Sequence, residues 1–392
     1  MGHGKGFLKG ALFGALAMCI VGILVGNPLG INFGGALLTS DTQSKIKEIR
    51  KYIDETFLYK DKIDEEALQE QAIKGYVNGL GDPYTVYYNE EETRELFETT
   101  TGEFGGIGVV IKQDQTTGLL VFVDVYENSP GEKAGFRYGD LVYKVDGQDV
   151  TQMDMDTIVS MIRGEVGSTV EITVLRGADH KEYTGTAKRA LIENDTVEYE
   201  MKEGQLGYIS VSGFEDVTYK QFKEALDELT EQQMKGLVID LRNNPGGNLN
   251  TVCEMLDLIL PKGVIVSVKD RDGNGQKYMS DDKEQLQVPL VVLINQYSAS
   301  ASEIFAGAVK DNGIGTLVGL TTYGKGVVQN VYRLSDGTSF KVTSSEYFTP
   351  KGKNIHGIGI KPDVEVAYEY DATNPEYDNQ LEKALDVLKN ER

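Results

Sequence analysis

The stretch GLVIDLRNNPGG, residues 236–247, decides the fold class. Its apolar first half, Gly236 to Leu241, reads as a strand, and its second half crowds two Asn, a Pro and two Gly into a turn. A helix opens at Leu249 and runs to Leu260. Working outward, Gly207 to Val211 reads as a strand followed by a helix from Tyr219 to Thr230. Downstream come a strand over Val288 to Asn295, a helix over Ala301 to Lys310 and a strand over Thr316 to Leu320. Strands alternating with helices between Ala190 and Pro362 predict an α/β core. Beyond Ala372, Leu381, Leu385 and Leu388 predict a short terminal helix.

The rest of the chain narrows the function classes. At 392 residues it holds two to three domains, and 40% hydrophobic with 26% charged residues describes a folded, soluble body. The net charge of −22 repels phosphate backbones, so nucleic acid is not an expected partner. Cys19 and Cys253 stand in unlike contexts, which excludes a disulfide framework and a cysteine zinc site. His3, His180 and His356 have no His or Cys at ligand spacing, so neither a metal nor a cofactor is implied.

Lys5 and Lys9 precede an uncharged apolar stretch, Gly10 to Gly26, and the next charge is Asp41. Residues 1–40 are therefore read as an uncleaved membrane anchor with the body on the extracytoplasmic side; secretion after signal cleavage is the alternative. Leu16-Ala17-Met18-Cys19 departs from a lipoprotein box at Met18. In residues 41–101, Ile46, Ile49, Ile53, Phe57, Leu68, Ile73, Val77 and Leu80 recur at helical spacing. This predicts a helical arm that packs on the body or on a second copy, hence a homodimer.

Between Gly102 and Lys188 the pattern becomes short strands: Ile107 to Lys112, Leu119 to Val125, Leu141 to Val145 and Val170 to Leu175. Gly105-Gly106-Ile107-Gly108-Val109-Val110 places glycines where successive backbone N–H groups converge on an anion. Ser129-Pro130, Ala134-Gly135-Phe136, Gly139-Asp140 and Val145-Asp146-Gly147 follow in order. Together they resemble a PDZ domain of the bacterial protease type over residues 102–188. The resemblance implies that Gly106, Ile107 and Gly108 receive a peptide carboxylate while the peptide adds as a strand beside Val109 to Ile111. Arg163, ending a helix, is a candidate to pair with that carboxylate or to report its arrival.

Gln296-Tyr297-Ser298-Ala299-Ser300-Ala301-Ser302-Glu303 lies between a buried strand and an amphipathic helix, where a serine can stand on a tight elbow. Ser300-x-x-Glu303 is also the pattern of a capping box. A serine nucleophile needs a base, and His356 has no evident orienting acid near it in sequence. Lys325, in Tyr323-Gly324-Lys325-Gly326, is the alternative. A lysine at ~10.4 in water must be lowered to ~7–8 to serve, a differential of roughly 4 kcal/mol that calls for a dry pocket.

From Tyr76 to Asp363 these pieces resemble the carboxy-terminal processing protease family of serine peptidases. The family's nucleophile is the middle serine of a Ser-Ala-Ser-Ala-Ser-Glu run, and its lysine base follows twenty-five residues later, which matches Ser300 and Lys325. Its glutamine, four residues further, matches Gln329; on a straight strand positions 325 and 329 lie ~13 Å apart, so contact needs a bend. The resemblance makes Asp-Leu-Arg-Asn-Asn-Pro-Gly-Gly the oxyanion-hole strand and turn, with one donor from Ala301 and the other from Gly246 or Gly247. Asp311 matches an acidic residue that some members carry.

The expected architecture is a mixed βα protease core of crotonase or ClpP type over residues 189–370, with the PDZ domain inserted, the N-terminal helical arm and a C-terminal helical tail over residues 371–392. The expected activity is a PDZ-gated serine endopeptidase acting on protein or peptide substrates with exposed apolar C-termini. A catalytically silent PDZ scaffold is the alternative, against which intact Ser300, Lys325 and Gln329 count. Ser44-Lys45-Ile46-Lys47 and Ser280-Asp281-Asp282-Lys283 satisfy the Ser-x-x-Lys of penicillin-binding acyltransferases, but without the Lys-Thr-Gly companion. An acyl-CoA hydratase-like protein without proteolysis shares the alternation but lacks the PDZ insertion and the Ser-Lys spacing.

Overall fold

The computed structural model describes residues 39–114, 117–281 and 283–390. The expected anchor at Gly10 to Gly26 and the lipoprotein-box resemblance lie outside them. Among the described residues no helix is long and apolar enough to cross a membrane. The chain divides after Gly81 into two compact units.

In the first unit, helix α1 (Ser40–Thr56) is followed by α2 (Glu65–Asn78). Asp64 caps α2 by accepting the amide protons of Glu66 and Ala67, and the Arg50 guanidinium grips both carboxylate oxygens of Glu65. The helical period expected from the sequence is present, yet no residue of α1 is buried, and Ile46, Ile49, Leu68 and Ile73 are exposed.

The second unit opens with β1 (Val86–Tyr88) and α3 (Glu90–Thr101), whose first turn is closed by reciprocal Asn89 and Glu92 bonds. Next, β2 (Glu103–Gly106) pairs antiparallel with β9 (Ala190–Glu193), so the chain enters and leaves the PDZ domain on adjacent strands. Inside it, β3 (Val109–Gln113), β4 (Leu120–Val125), β5 (Leu141–Val145), β7 (Thr169–Arg176) and β8 (Lys181–Lys188) form a sheet in that order. The strand β6 (Gln148–Asp149) pairs with β5, and helices α4 (Pro130–Lys133) and α5 (Met155–Ile162) complete the module. Phe122, Phe136, Val145, Ile158, Ile172 and Val174 are among its core residues. The first strand starts at Val109 rather than at Ile107, because Gly108 takes φ +70° and a Cβ there would lie 2.5 Å from Cβ of Ser129.

The core sheet runs β10 (Val197–Lys202), β11 (Leu206–Val211), β12 (Gly236–Asp240), β15 (Leu290–Ile294), β16 (Thr316–Gly319) and β19 (Val364–Glu365). Only the β10–β11 pair is antiparallel. Alternate residues divide between its faces as the twofold strand period requires. Ile209, Leu237, Ile239 and Val292 pack with α6 (Thr218–Glu231), α7 (Leu249–Asp257) and α8 (Ala301–Asn312), whereas Val238, Val291 and Leu293 pack with α9 (Asn379–Asn390). A second sheet orders β1, β18 (Ser339–Phe348), β13 (Gly263–Asp270) and β14 (Gly275–Ser280), with β17 (Val327–Arg333) also on β18. The molecule is thus a mixed α/β core carrying an inserted β-rich module, with N-terminal helices, as the sequence predicts.

Candidate active site

The loop leaving β15 presents three serines, and burial separates them. Ser298 is fully buried, donating its hydroxyl to Leu241 O at 2.7 Å and accepting the Asn295 amide proton at 2.9 Å. Ser302 is equally buried and donates to Asn244 O at 3.0 Å. The Ser300 hydroxyl donates its proton to no described group and lines a cavity of about 370 Å³. Ser300 stands at φ 55°, ψ −111°, a backbone state that costs roughly 1–3 kcal/mol for a residue with a Cβ and persists only where its surroundings enforce it. Two bonds do so: the Tyr347 hydroxyl donates to Ser300 O at 3.2 Å, and Glu303 Oε2 accepts the Ser300 amide proton at 3.0 Å.

Glu303 does more than close a capping box. Fully buried in the first turn of α8, it accepts four bonds: Ser300 N–H and Lys325 N–H (2.8 Å) at Oε2, Gly324 N–H (2.7 Å) and the Thr322 hydroxyl (2.6 Å) at Oε1. One carboxylate thereby ties the elbow of Ser300 to the loop of Lys325. The sequence reading gave Glu303 only the cap.

Lys325 lines the same cavity, half-buried, with Nζ 4.8 Å from the centroid of the Tyr84 ring. Burial pushes its pKa down, the charge of Lys341 pushes it further, and Asp82 and Glu303 pull it back up; the net shift is downward, as a lysine base requires. No hydrogen bond joins Ser300 Oγ to Lys325 Nζ in this structure. Lys325 precedes β17, and a bulge interrupts the β17–β18 ladder between Val328 and Gln329, so the path between positions 325 and 329 is not a straight strand. Gln329 lines the cavity, but its Nε2 donates to Thr343 Oγ1 at 3.4 Å and not to Lys325.

The turn after β12 packs against the elbow. At Gly246 (φ +105°) a Cβ would lie 2.7 Å from Ala299 O, 2.8 Å from Ser300 Cβ and 2.9 Å from Ala301 N. Asn244, wholly buried, fixes the turn: its Nδ2 donates to Val211 O (2.8 Å) and its Oδ1 accepts the Gly246 amide proton (2.8 Å). Its carbonyl accepts the Ala299 amide proton and the Ser302 hydroxyl. Of the two glycines expected to supply an oxyanion donor, Gly246 thus has its N–H committed. The amides of Gly247 and Ala301 donate to no described group.

Other expected residues fall elsewhere. Asp311 sits in the last turn of α8, about 16 Å along the helix from Ser300, where it accepts the Lys351 amide proton at 3.0 Å. His356 Nδ1 accepts the Gly326 amide proton at 3.3 Å. In the PDZ domain the carbonyls of Ile107 and Gly108 are taken by the amides of Gly131 and Tyr126, while their own amides donate to no described group. Gly106 pairs with Ala190 across the stem, and Val109 opens β3 opposite Val125. Arg163 caps α5, stacks 3.9 Å above the Phe104 ring and lines a separate cavity with Arg94, Glu95 and Glu98 of α3. Asp82, Tyr84, Asn244, Lys341 and Tyr347 were not singled out from the sequence. Asn244 lies inside the oxyanion-turn motif and Asp82 and Tyr84 inside a Gly/Pro break at residues 79–84; Lys341 and Tyr347 reach the site through sheet register.

Residues 205–366 match the model of peptidase family S41, residues 121–176 that of a PDZ domain and residues 35–93 that of the activating protease CtpB N-terminal domain. The chain is 35% identical over 351 residues to a probable CtpA-like serine protease of Staphylococcus haemolyticus, covering 88% of this chain and 70% of that protein. It is 35% identical over 337 residues to the carboxy-terminal processing protease CtpB of Bacillus subtilis, covering 85% and 69%. Among solved structures, a photosystem II D1 C-terminal processing protease is similar at a TM-score of 0.50 and 31% identity, covering 90% of this chain and 98% of that one. A serine elbow above a glycine turn, a PDZ domain inserted ahead of a βα core and relatives at this identity lead to one conclusion: the chain belongs to the carboxy-terminal processing proteases, PDZ-containing serine peptidases of family S41.

Proposed function

We propose that the protein is a Ser-Lys endopeptidase whose PDZ domain gates the site. The observation that carries the reading is that one buried carboxylate, Glu303, holds the main chains of Ser300 and Lys325 together beside a single cavity. Ser300 Oγ attacks the scissile carbonyl carbon while the neutral Lys325 amine takes the hydroxyl proton. The amides of Gly247 and Ala301 stabilise the oxyanion. Lys325 then returns the proton to the leaving amine as the C–N bond breaks, leaving an acyl ester on Ser300. Water, deprotonated by Lys325, cleaves that ester and restores the hydroxyl. Gln329, which lines the same cavity, is the orienting third member that the family resemblance implies. Leu96, Phe214, Leu249, Ile304 and Val331 line the cavity and suit an apolar substrate side chain.

The PDZ domain takes an apolar peptide C-terminus, its carboxylate on the amides of Ile107 and Gly108 and its strand beside β3. Arg163, between α5 and α3, is placed to register occupancy. Gating is supported by the unengaged Ser300 and Lys325 side chains and by a bonded route: Thr100 O, at the end of α3, accepts from Asn248 Nδ2 at 3.1 Å, next to Gly247. Lys5, Lys9 and the apolar run that follows support an anchored protein with an extracytoplasmic body. The exposed apolar positions of α1 and α2 support a homodimer; a sedimentation mass of one chain at micromolar concentration would remove it.

The test is cleavage of an unfolded polypeptide with an apolar C-terminus by the unmutated chain, Ser300→Ala and Lys325→Ala. Loss of cleavage in both folded variants supports the Ser-Lys reading, and binding without cleavage by the unmutated chain favours a scaffold. Deletion of residues 103–188 addresses the gate, which fails if short and long substrates are cut as before.

A further inference from the structure

We propose that Lys341 is the resident cation of the catalytic cavity and that its ammonium group keeps Lys325 available as the proton acceptor. The inference rests on the reading of Lys325 as the base and adds a positioning residue that acts through it.

Lys341 reaches the site by register. It lies on β18 opposite Val331 of β17, and Thr343, two residues on, lies opposite Gln329. Residues that face each other across a ladder share a face of the sheet, and Gln329, Val331 and Lys341 all line the cavity that holds Ser300 and Lys325. Lys341 forms no ion pair among the described residues; its Nζ lies 5.1 Å from the Tyr88 ring centroid. Lys325 has no ion pair either, only the Tyr84 ring. Glu215 is the one carboxylate residue among the cavity's lining residues, and its carboxylate accepts from Asn194. The cavity therefore contains two lysines with no carboxylate paired to either.

Two ammonium groups sharing such a cavity repel, so a proton held by one lowers the affinity of the other. The titratable groups around Lys325 are Asp82 and Tyr84 in the turn before β1, Glu303 of α8, Tyr347 and Lys341 of β18, and Tyr323 and His356 in the flanking loops. Asp82 and Glu303 favour the charged form of Lys325, and Glu303 cannot be dispensed with because it holds both loops. Burial of the Lys325 ammonium and, after it, the charge of Lys341 offset them.

The experiment measures kcat/KM against pH for the full chain, Lys341→Met, Lys341→Arg and Lys325→Ala, using an unfolded polypeptide with an apolar C-terminus. In Lys341→Met the rising acid limb should move to higher pH, by about half to one unit. Lys341→Arg, which keeps the charge, should restore the parental limb. An unmoved limb in Lys341→Met, or a fall in rate that is the same at every pH, overturns the proposal, with thermal melts showing that the variants fold. Lys325→Ala separates the two readings: if it cleaves at the parental rate, the Ser-Lys reading itself fails. If it is silent and the Lys341→Met limb stays put, only the role of Lys341 fails.

Discussion

Ser300 and Lys325 meet through their main chains before they meet through their side chains: both amide protons go to the same oxygen, Oε2 of Glu303, at 3.0 and 2.8 Å. The proposed nucleophile and base are twenty-five residues apart in the chain and come from different loops, so their spacing depends on an agent that touches both. The other oxygen of that carboxylate holds Thr322 and Gly324, which leaves the loop before Lys325 little freedom.

Glu303→Gln keeps the shape of the side chain but turns two of the four accepting positions into an NH2 group facing donors. A loss of about 1–3 kcal/mol in stability is expected from the unsatisfied groups, together with a fall in kcat of roughly 10²-fold as Ser300 and Lys325 drift apart. The charge change has its own signature. Glu303 raises the pKa of Lys325, so its removal should move the acid limb of kcat/KM to lower pH, the opposite of Lys341→Met. Urea unfolding and a pH profile on one preparation check both parts, and an unmoved limb would reject the electrostatic half.

Lys325→Ala should lower kcat/KM by about 10²–10⁴-fold, the usual worth of a general base, with little change in fold. In the parent, rate should rise with pH and reach half its plateau below the ~10.4 of a free lysine, because burial pushes the ammonium to release its proton earlier. Lys325→Arg, which stays protonated throughout, should remain silent up to the highest pH the protein withstands. Initial rates across pH decide it; a parental limb near 10.4 would contradict the dry site.

Gly246→Ala brings a methyl group within 2.9 Å of Ala299 O, Ser300 Cβ and Ala301 N at a φ of +105°. Both the strain and the clash fall on the serine elbow, so activity should be lost and stability reduced by roughly 1–3 kcal/mol. Gly75→Ala, in α2, meets nothing within 4 Å and replaces a helical glycine, so it should be neutral or stabilising by up to ~1 kcal/mol. Thermal melts of the pair give the contrast, and equal effects would argue against the elbow packing.

What could be read from the sequence follows from what each residue touches. β12 and α8 were legible because long apolar runs and helical spacing announce buried elements. β14 and β17 were not: Gln276, Lys277, Asn330 and Arg333 are exposed, and such strands lack a continuous apolar signal. Ser300 and Lys325 were singled out by the resemblance to the family's motif, and the glycine turn with them, but the commitment of the Gly246 N–H depends on the Asn244 side chain, whose direction no spacing encodes. Lys341 and Tyr347 are placed by strand register across more than forty residues from Ser300, a relationship that local patterns do not carry.

Asp378, just before α9, gives a stability test with a definite sign. Burial alone would raise its carboxyl pKa, but hydrogen bonds from Arg242 and from the amides of Leu381 and Gln380 hold it below its usual value. A depressed folded-state pKa stabilises the fold above the unfolded value, and the contribution fades as pH falls through the folded one. Asp378→Asn should therefore cost about 1.5–3 kcal/mol at pH 7, and the gap to the parent should close as pH drops below about 4. Arg242 belongs to the segment that leads into the oxyanion turn and also grips Asp240 at 2.9 Å, so a small fall in kcat is expected as well. Urea unfolding of both chains at pH 7 and pH 3 measures the gap, which would stay constant if Asp378 acted only by packing.

Asn248 tests the proposed link between the PDZ domain and the site. Its Nδ2 donates to Thr100 O at 3.1 Å and to Asp216 Oδ1 at 2.6 Å, bridging the end of α3 to the residue after Gly247. Thr100 precedes the β2 strand by three residues, and Gly105 of that strand accepts the Gly164 amide proton at 3.0 Å, next to Arg163. A displacement of α5 on peptide binding thus has a bonded route to the oxyanion turn. Asn248→Ala removes two bonds and should cost about 1–2 kcal/mol, while the PDZ domain keeps its own core and its affinity for peptide. The expected result is a loss of the difference in kcat between substrates with and without an apolar C-terminus, with peptide affinity unchanged by calorimetry. If the difference survives in a folded Asn248→Ala protein, the proposed gate does not run through this bond.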